Sequence, residues 1–279
     1  MKIAAVYCVY NEEDYIEYSI KSIYDFVDKI VVCLGQAPYI AYNPRAREVV
    51  TQRDRTKEIV QQLAKGDPKF HLIEGTWASE IEHRNAGMQY CLANHFDYYF
   101  LIDGDEVYRA DHLRAIAKII AANPKVGTFV VRCPIFWRSF KCRIPAEKVA
   151  WCPRRIFKIT AKRNILGLKF PYPIRFIGEN KTNSLGEVLH IPIEQAVFYH
   201  FSYAKTPRTM KEKLSTFSHA HEILSGWYEN IWLKWPQNRA MQSVHPTDPP
   251  KFPRVDYVEP ADLPEVMKSH PFYRMEIIE

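Results

Sequence analysis

Short apolar runs alternate with amphipathic stretches along the first 132 residues of the chain. The apolar runs are rich in β-branched and aromatic residues, and they predict buried strands over residues 3–9, 29–34, 70–73, 98–102 and 127–132. The stretches between them repeat apolar residues at helical spacing and predict helices over residues 14–26, 45–64, 79–94 and 111–122. Strands and helices that alternate with short links predict an α/β fold, with a mostly parallel central sheet and helices on both faces.

The ends of the predicted strands locate a candidate ligand site. In a parallel sheet that is wound on both faces, ligands bind beyond the carboxyl ends of the strands. Three loops reach that edge, at residues 10–12, 35–36 and 103–105. We therefore expect the chemistry of the protein to lie where these three loops meet.

The loop Asp103-Gly104-Asp105 carries the clearest chemical signal. Alternate residues at a strand end point the same way, and the glycine between the two acids allows close approach. Two such carboxylates can hold a hard divalent cation, Mn²⁺ or Mg²⁺, against a diphosphate. Asp-Gly is also a common turn dipeptide, so the loop alone does not decide between a metal site and a polar turn.

Charge is distributed unevenly along the chain. The formal net charge is +6, but residues 126–175 contain twelve basic residues and one acid, Glu147. That segment carries +11 and the remainder −5, which predicts an anionic ligand near the middle of the chain. Arg138, Lys141 and Arg143 flank aromatic residues there, and we expect them to face that ligand.

Cysteine spacing and the N-terminal sequence bear on the compartment. None of the six cysteines forms a Cys-x-x-Cys pair, which disfavours a zinc ribbon or a thioredoxin-type site. The apolar run at residues 3–9 is too short for a signal peptide, and no stretch approaches the length of a membrane span. We therefore expect a cytoplasmic protein without a transmembrane segment.

Five sequence blocks, taken in order, resemble the family 2 glycosyltransferases, whose fold is called GT-A. The blocks are VYCVYNEE at 6–13, RNAG at 84–87, YFLIDGDE at 99–106, RRIF at 154–157 and YHFSYA at 199–204. Each block is weak alone, and the ordered set is specific. The resemblance implies a Rossmann-like GT-A fold and a metal-dependent hexosyltransferase. Such an enzyme moves a sugar from a nucleotide-sugar donor to an acceptor hydroxyl, with inversion.

The same resemblance implies a division of the chain. Residues 1–208 would form the GT-A domain, with a nucleotide-binding half over 1–110 and an acceptor half over 111–208. A C-terminal extension over 209–279 would follow, with a predicted helix at 209–224 and an extended, proline-rich segment from residue 235.

The resemblance also implies residues that bind the nucleotide. Tyr10 would stack on the base, with Asn11 and Glu12 shaping that pocket, and the alternative for Tyr10 is an ordinary core aromatic. Arg84 would reach the base or a phosphate as a charged donor. The family often has an acidic residue after the second strand, and Gln36 stands near that place here. This departure leaves the base open, with a UDP-sugar as the default donor.

For the metal, the resemblance implies three residues. Asp103 would contact the ribose or the metal's water, Asp105 would ligate the ion directly, and His200 would complete the shell. The alternative for His200 is a buried histidine that is satisfied by hydrogen bonds. An inverting reaction also needs a carboxylate that takes the proton of the acceptor hydroxyl. Glu179 is the first candidate, with Glu147 and Glu187 as alternatives, although each could be a solvated loop acid.

Three other functions are weighed against this one. A nucleotidyltransferase would need a glycine-rich phosphate loop after the first strand, and the loop here is acidic and has no glycine. A nucleic-acid-binding protein without transferase activity would use the basic segment, but it would leave the Asp-Gly-Asp loop unexplained. A DNA-modifying glycosyltransferase that acts on a hydroxylated base explains both features. The acceptor is therefore expected to be a saccharide, possibly lipid-linked, or a polyanion such as DNA.

Overall fold

The computed structural model of the chain describes residues 1–41, 43–44, 46–48, 54–150, 153–159, 174–176, 182–184 and 187–279. The strands are β1 Ile3–Val9, β2 Lys29–Gly35, β3 Phe70–Gly75, β4 Tyr98–Ile102, β5 Glu106–Tyr108, β6 Val126–Val130, β7 Ile135–Trp137, β8 Cys142–Ile144, β9 Arg154–Lys158, β10 Ile174–Phe176, β11 Thr182–Ser184, β12 Glu187–His190, β13 Phe198–Tyr203 and β14 Asp256–Tyr257. The α-helices are α1 Ile16–Ile23, α2 Thr56–Ala64, α3 Glu80–Ala93, α4 Ala110–Ala122 and α5 Pro207–Thr216.

A seven-stranded sheet forms the centre of the molecule, in the order β12-β6-β9-β4-β1-β2-β3. Strands β1 to β4 run parallel to one another, and β12 runs parallel to β6. Strand β9 is antiparallel to both of its neighbours, β4 and β6. The predicted fold class, a mostly parallel sheet in an α/β fold, is confirmed. The parallel strands bring the loops after β1, β2 and β4 to one edge.

Alternate side chains of β1 reach two separate cores. Ala5, Tyr7 and Val9 share one core with apolar residues of α1, α2 and α4, whereas Ala4 and Val6 share the other with residues of α3. Helix α3 approaches β1 so closely that a Cβ at Gly87 would lie 2.2 Å from Cγ1 of Val6. The absence of a side chain at Gly87 thus seats the first turns of α3 beside the carboxyl end of β1.

A second sheet has five strands, in the order β14-β8-β7-β13-β5. Strand β13 runs antiparallel to β5, with His200 opposite Glu106, and parallel to β7. The N–H of Phe201 donates to the carbonyl of Asp105 over 2.9 Å. Strand β13 therefore lies directly beside the Asp-Gly-Asp loop and continues the edge at which the parallel strands end.

The segment after α5 joins the same core. Trp227, Trp232 and Trp235 are buried against the core that contains Trp137. Strand β14 pairs with β8, and the N–H of Ile278 donates to the carbonyl of Arg138 over 2.7 Å. The described part of residues 209–279 thus completes the second sheet and covers it.

The observed elements agree closely with the predicted ones at the strands, and less closely at two helices. Within the predicted helix 45–64, the described residues form a 3₁₀ turn at Ala46–Glu48 and an α-helix at Thr56–Ala64. The predicted helix 209–224 is observed at Pro207–Thr216, because Thr206 caps it and Phe217 adopts an extended conformation. Among the described residues, no helix has both the length and the apolar character needed to cross a bilayer.

Candidate active site

A cavity of about 480 Å³ opens at the carboxyl ends of β1, β2 and β4. Its walls come from the loop after β1, the loop after β2, the start of α3, the Asp-Gly-Asp loop, β9, β13 and α5, and from residues 217–222 and 245–251. Pockets of a few hundred cubic ångströms are the usual size for small-molecule sites. The cavity therefore lies where the strand order predicted the ligand site.

Aromatic rings contribute to the wall of this cavity. Tyr10 and Tyr39 both line it. The hydroxyl of Tyr39 lies 2.8 Å from Nδ1 of His83, and Nε2 of His83 lies 2.9 Å from the carbonyl of Cys33. Because the carbonyl can only accept, Nε2 carries the proton and the Tyr39 hydroxyl donates to Nδ1. The ring of His83 stacks on Trp77 at 3.9 Å, so this wall is held rigidly.

The loop after β1 lies close against the Asp-Gly-Asp loop. Asn11 adopts a left-handed conformation with φ of 54°, which turns the chain sharply after β1. A Cβ at Gly104 would lie 2.9 Å from Cβ and Cγ of Glu12, so the two loops touch only because residue 104 is glycine. This contact places Glu12 next to the two aspartates.

Two arginines bind the first aspartate of the loop. The guanidinium of Arg155, on β9, lies 2.9 Å from Oδ2 of Asp103, and that of Arg84, on α3, lies 3.4 Å from Oδ1. Burial alone would raise the pKa of Asp103, but Arg155 and Arg84 outweigh it and lower the pKa to about 2. Asp103 is therefore ionised at any ordinary pH.

Three cationic or imidazole groups surround the second aspartate. Oδ1 of Asp105 lies 3.1 Å from Nε2 of His200, and Oδ2 lies 2.7 Å from Nζ of Lys213 and 3.9 Å from Nζ of Lys205. The side chain of Asp105 is only 2% exposed. Burial raises its pKa, but Lys213 and His200 outweigh that effect and hold the pKa well below its usual range.

Glu106 is a site residue that the sequence patterns did not single out. Its side chain is fully buried at the start of β5, where it forms an ion pair with Arg155. Burial raises its pKa well above the usual range despite that arginine. Asp103, Glu106 and His200 offer ligand atoms that all lie within 4.8 Å of one another. The signal in the sequence that could have identified Glu106 is an acid followed directly by the apolar residues Val107 and Tyr108.

Glu12 faces a buried lysine. Its carboxylate lies 3.0 Å from Nζ of Lys205, whose side chain is 1% exposed and also lies 5.0 Å from the ring of Tyr15. Burial raises the pKa of Glu12 to about 7, with Lys205 opposing that rise. Lys205 follows the YHFSYA block directly, but nothing in the sequence tied it to Glu12.

The cluster as a whole contains five carboxylates and four permanent cations. The carboxylates belong to Glu12, Glu80, Asp103, Asp105 and Glu106, and the cations to Arg84, Arg155, Lys205 and Lys213. The surrounding cations lower the pKa of Asp103 and Asp105, whereas burial raises the pKa of Glu12 and Glu106. A ligand that enters the site must exchange partners with these groups.

The structure brings most of the predicted site residues together. Tyr10, Asn11, Glu12, Arg84, Asp103, Asp105 and His200 all line the cavity. Gln36 does not line it. Its side chain is exposed, and its backbone N–H donates to Gly75 on β3. Tyr39, three residues further along the chain, lines the cavity near the place predicted for Gln36.

The candidate bases are placed differently from one another. Glu147 is exposed and lines a second cavity, together with Arg143 and Tyr199. This second cavity shares no lining residue with the first. Glu187 is exposed at the start of β12. Glu179 lies outside the described residues.

The basic segment is paired with acids from the far end of the chain. Lys141 forms an ion pair with Glu276, Arg143 with Asp262 and Lys148 with Asp256. Arg138 is 4% exposed, and its guanidinium lies 4.0 Å from the ring of Trp232. Arg138, Lys141 and Arg143 thus contact the C-terminal segment, and the expectation that they face an anionic ligand stays a prediction.

Comparisons with known proteins give a family and distant structural similarities. The structure of residues 1–349 of TarS from S. aureus is 15% identical, with a TM-score of 0.46, and the alignment covers 86% of this chain and 73% of that one. The same TarS fragment in complex with UDP gives a TM-score of 0.45 at 15% identity, with 86% and 73% covered. The mannosyltransferase PcManGT from Pyrobaculum calidifontis, in complex with GDP-Man and Mn²⁺, is 20% identical, with a TM-score of 0.38. That alignment covers 56% of this chain and 44% of the other.

Sequence comparison identifies the family of the chain but no individual relative among the curated proteins. No curated protein matches the chain. The model of glycosyl transferase family 2, in contrast, matches residues 51–205, which is more than half of the chain and includes the Asp-Gly-Asp loop, the RRIF block and the YHFSYA block. The predicted family is thereby confirmed, and the chain belongs to glycosyl transferase family 2.

Proposed function

We propose that the protein transfers a sugar from a nucleotide-sugar donor to an acceptor hydroxyl, with inversion and with help from a divalent metal. The observation that carries this proposal is the contact of 3.1 Å between His200 and Asp105, in the wall of a cavity that Tyr10 and Tyr39 also line. A nucleotide needs an aromatic or apolar surface for its base and charged groups for its diphosphate. The lining of this cavity contains both kinds of group.

The residues of the site fit a metal ion. Asp105 and His200 would hold Mn²⁺ or Mg²⁺, with Asp103 and Glu106 within reach through a further ligand or a water, because their ligand atoms lie close to His200. When bound, such an ion neutralises the negative charge that develops on the departing diphosphate. Imidazole beside carboxylate is a ligand set that manganese accepts.

The protein's own groups would divide the remaining work. Tyr10 would stack on the base, with Asn11 and Glu12 completing the pocket and uridine as the default base. Arg84, held by Glu80 and Asp103, would direct a charged donor towards the base or a phosphate. Buried and already oriented donors of this kind stabilise developing charge without reorganising during the reaction.

Glu179 remains the proposed base that takes the proton of the acceptor hydroxyl. It lies outside the described residues, so the proposal rests on its position between the RRIF and YHFSYA blocks. Glu147 and Glu187 stay as alternatives. The position of Glu147 in the second cavity makes it a poorer candidate than the sequence suggested.

For the acceptor we propose a saccharide, free or lipid-linked. The cavity is also lined by Phe217, His219, Glu222, His245 and Lys251, a mixture of rings and hydrogen-bonding groups that suits a hydroxylated ligand. The polyanion alternative, DNA included, rested on the basic segment. Three described residues of that segment, Lys141, Arg143 and Lys148, already have acidic partners.

For the compartment we propose the cytoplasm, as the sequence led us to expect. The five described cysteines are all free thiols, and Cys8 and Cys33 stand opposite each other on parallel strands without a bond between them. Free thiols are the rule in reducing compartments.

The direct test is hydrolysis of nucleotide sugars without any acceptor. The protein would be incubated with a panel of UDP-, GDP- and dTDP-sugars and Mn²⁺, and the release of nucleoside diphosphate would be measured. We expect release from one donor, loss of release in excess chelator, and loss in Asp105→Asn. A folded protein that neither hydrolyses nor binds any member of the panel would overturn the proposed function.

A further inference from the structure

The ammonium group of Lys213 occupies a cage of oxygens at the candidate metal site. Nζ of Lys213 lies 2.7 Å from Oδ2 of Asp105, 2.9 Å from Oγ of Ser202 and 3.4 Å from the carbonyl of Ser202. An ammonium group has three donors, so these three oxygens satisfy it completely. Carboxylate, hydroxyl and carbonyl oxygens are also what a hard cation prefers.

Both oxygens of Asp105 are therefore engaged. Oδ1 faces His200 and Oδ2 faces Lys213. A divalent ion that ligated Asp105 would stand within a few ångströms of the Lys213 ammonium, and the two like charges would repel each other at this partly buried site. Contact of the ion with this carboxylate therefore works against contact of the ammonium group with it.

Of the two lysines near Asp105, only one is free to leave. The side chain of Lys205 is 1% exposed and held by Glu12, whereas that of Lys213 is 21% exposed and lines the cavity. Lys213 lies on α5 and carries its ammonium group on a stem with four rotatable bonds. Its ammonium group can therefore swing from Asp105 into the cavity without unfolding anything.

We propose that Lys213 is a tethered cation that competes with the divalent metal for Asp105. When the metal and the donor bind together, the released ammonium group turns to the donor's diphosphate. The metal alone must displace Lys213 without compensation, whereas the metal with a nucleoside diphosphate gives the ammonium group a new anionic partner. Metal and nucleotide binding are thus positively coupled through one side chain. This inference rests on the proposed metal and donor.

The test measures Mn²⁺ binding by electron paramagnetic resonance, without donor sugar and without turnover. The dissociation constant of Mn²⁺ is determined with and without UDP, and with GDP if UDP does not bind. In the wild-type protein we expect the nucleotide to tighten Mn²⁺ binding at least tenfold. In Lys213→Met we expect Mn²⁺ alone to bind at least tenfold more tightly than in the wild type, and the coupling to fall below threefold.

Three further variants make the result specific. Lys213→Arg keeps the positive charge and should keep weak Mn²⁺ binding and strong coupling. Lys213→Gln removes the charge but retains a donor for Ser202, so it replaces Lys213→Met if that variant has a low melting temperature. Lys211→Met removes an exposed lysine from the same helix and should behave as the wild type.

The outcomes separate the two proposals. Equal Mn²⁺ affinities in the wild type and in Lys213→Met and Lys213→Gln, or equal coupling in these proteins, would overturn the competition. Absence of Mn²⁺ binding in every variant, with UDP or GDP still bound, would overturn it as well and would leave a transferase that works without a metal. Absence of both metal and nucleotide binding would instead contradict the proposed function itself.

Discussion

Nε2 of His200 lies 3.1 Å from Oδ1 of Asp105, although 95 residues separate them in the chain. The contact arises because β13 runs antiparallel to β5, and the strand pairing sets His200 opposite Glu106, the neighbour of Asp105. His200 is 9% exposed. It is thus a buried, hydrogen-bonded histidine, and its role as a metal ligand stays a prediction.

Replacing Asp105 by asparagine is expected to abolish metal-dependent transfer and to lower stability. Turnover should fall by about a hundredfold or more, because the residue that would ligate the metal loses its charge. Because Asp105 is 2% exposed and lies near two lysines, removing its charge takes the carboxylate partner from Lys213 and leaves Lys205 with Glu12 alone. The melting temperature should therefore fall as well, whereas the same substitution in an exposed loop would leave it nearly unchanged.

The control for this variant is Asp111→Asn, which changes an exposed aspartate on α4 that pairs with Arg109. It should leave turnover and Mn²⁺ binding unchanged. Turnover and Mn²⁺ affinity are measured below the melting temperature of each variant. Full turnover of Asp105→Asn, or of the wild type in excess chelator, would contradict metal dependence through this residue.

Replacing Glu179 by glutamine tests the proposed base. The side chain keeps its shape and loses its proton acceptor, so turnover should fall by about a hundredfold while the dissociation constant of the donor stays the same. Steady-state kinetics with a saccharide acceptor, together with donor binding by calorimetry, measure the two quantities. Glu147→Gln is the matched comparison, because Glu147 lines the second cavity, and it should retain wild-type turnover. Wild-type turnover in Glu179→Gln, together with a loss of turnover in Glu147→Gln, would reassign the base to Glu147.

The ring of His270 should make stability depend on pH. Nε2 of His270 donates to the carbonyl of Asp14 over 2.7 Å, Nδ1 accepts from Phe272, and burial lowers the pKa of the ring to about 4. Because this pKa lies below the unfolded value of 6.5, protonation favours the unfolded chain. The stabilising contribution is complete above pH 6.5 and is lost as the pH falls towards 4.

The measurement compares urea unfolding of the wild type and His270→Gln at several pH values. Between pH 7 and pH 5 the wild type should lose roughly 2 kcal/mol more than the variant, since one pKa unit corresponds to about 1.4 kcal/mol. Taking the difference between the two proteins removes the effects of Glu12 and Glu106, whose raised pKa values act in the opposite direction. Parallel pH profiles would show that His270 does not titrate in this way.

Reversing the charge of Arg143 should weaken the attachment of the C-terminal segment and leave the acceptor's Michaelis constant unchanged. Its partner Asp262 is 42% exposed, so the ion pair should contribute no more than about 1 kcal/mol to the free energy of unfolding. Arg143→Glu should be less stable than the wild type, and the exchange of both charges in Arg143→Glu with Asp262→Arg should recover most of the loss. A raised Michaelis constant at unchanged stability would restore the acceptor role.

The sequence predicted the central sheet well for a local reason. Strands β1 and β4 have the predicted bounds because buried strands are continuous apolar runs, and their length is visible without knowledge of their neighbours. The same pattern placed Asp103 and Asp105 at a strand end. The helix predicted to end at residue 224 was too long, because the extended conformation of Phe217 has no marker as strong as glycine or proline.

The partners of the site residues were not predictable in this way. Asp103 meets Arg155 across 52 residues, Asp105 meets Lys213 across 108, and Glu12 meets Lys205 across 193. Each contact depends on which strands become neighbours, and the second sheet, which brings β13 beside β5, was not foreseen. The acidic partners of the basic segment were not predictable for the same reason, since Lys141 and Glu276 are 135 residues apart.

The ion pairs of Lys141, Arg143 and Lys148 with Glu276, Asp262 and Asp256 also govern how a degraded sample would behave. A protease that cut ahead of β14 would remove the acids and leave the three cations on the surface. Such a fragment would bind cation-exchange resin and nucleic acid, because binding releases counterions. This binding would weaken steeply as the salt concentration rises. DNA retention by a clipped preparation would thus report the missing carboxylates and not a ligand of the intact protein.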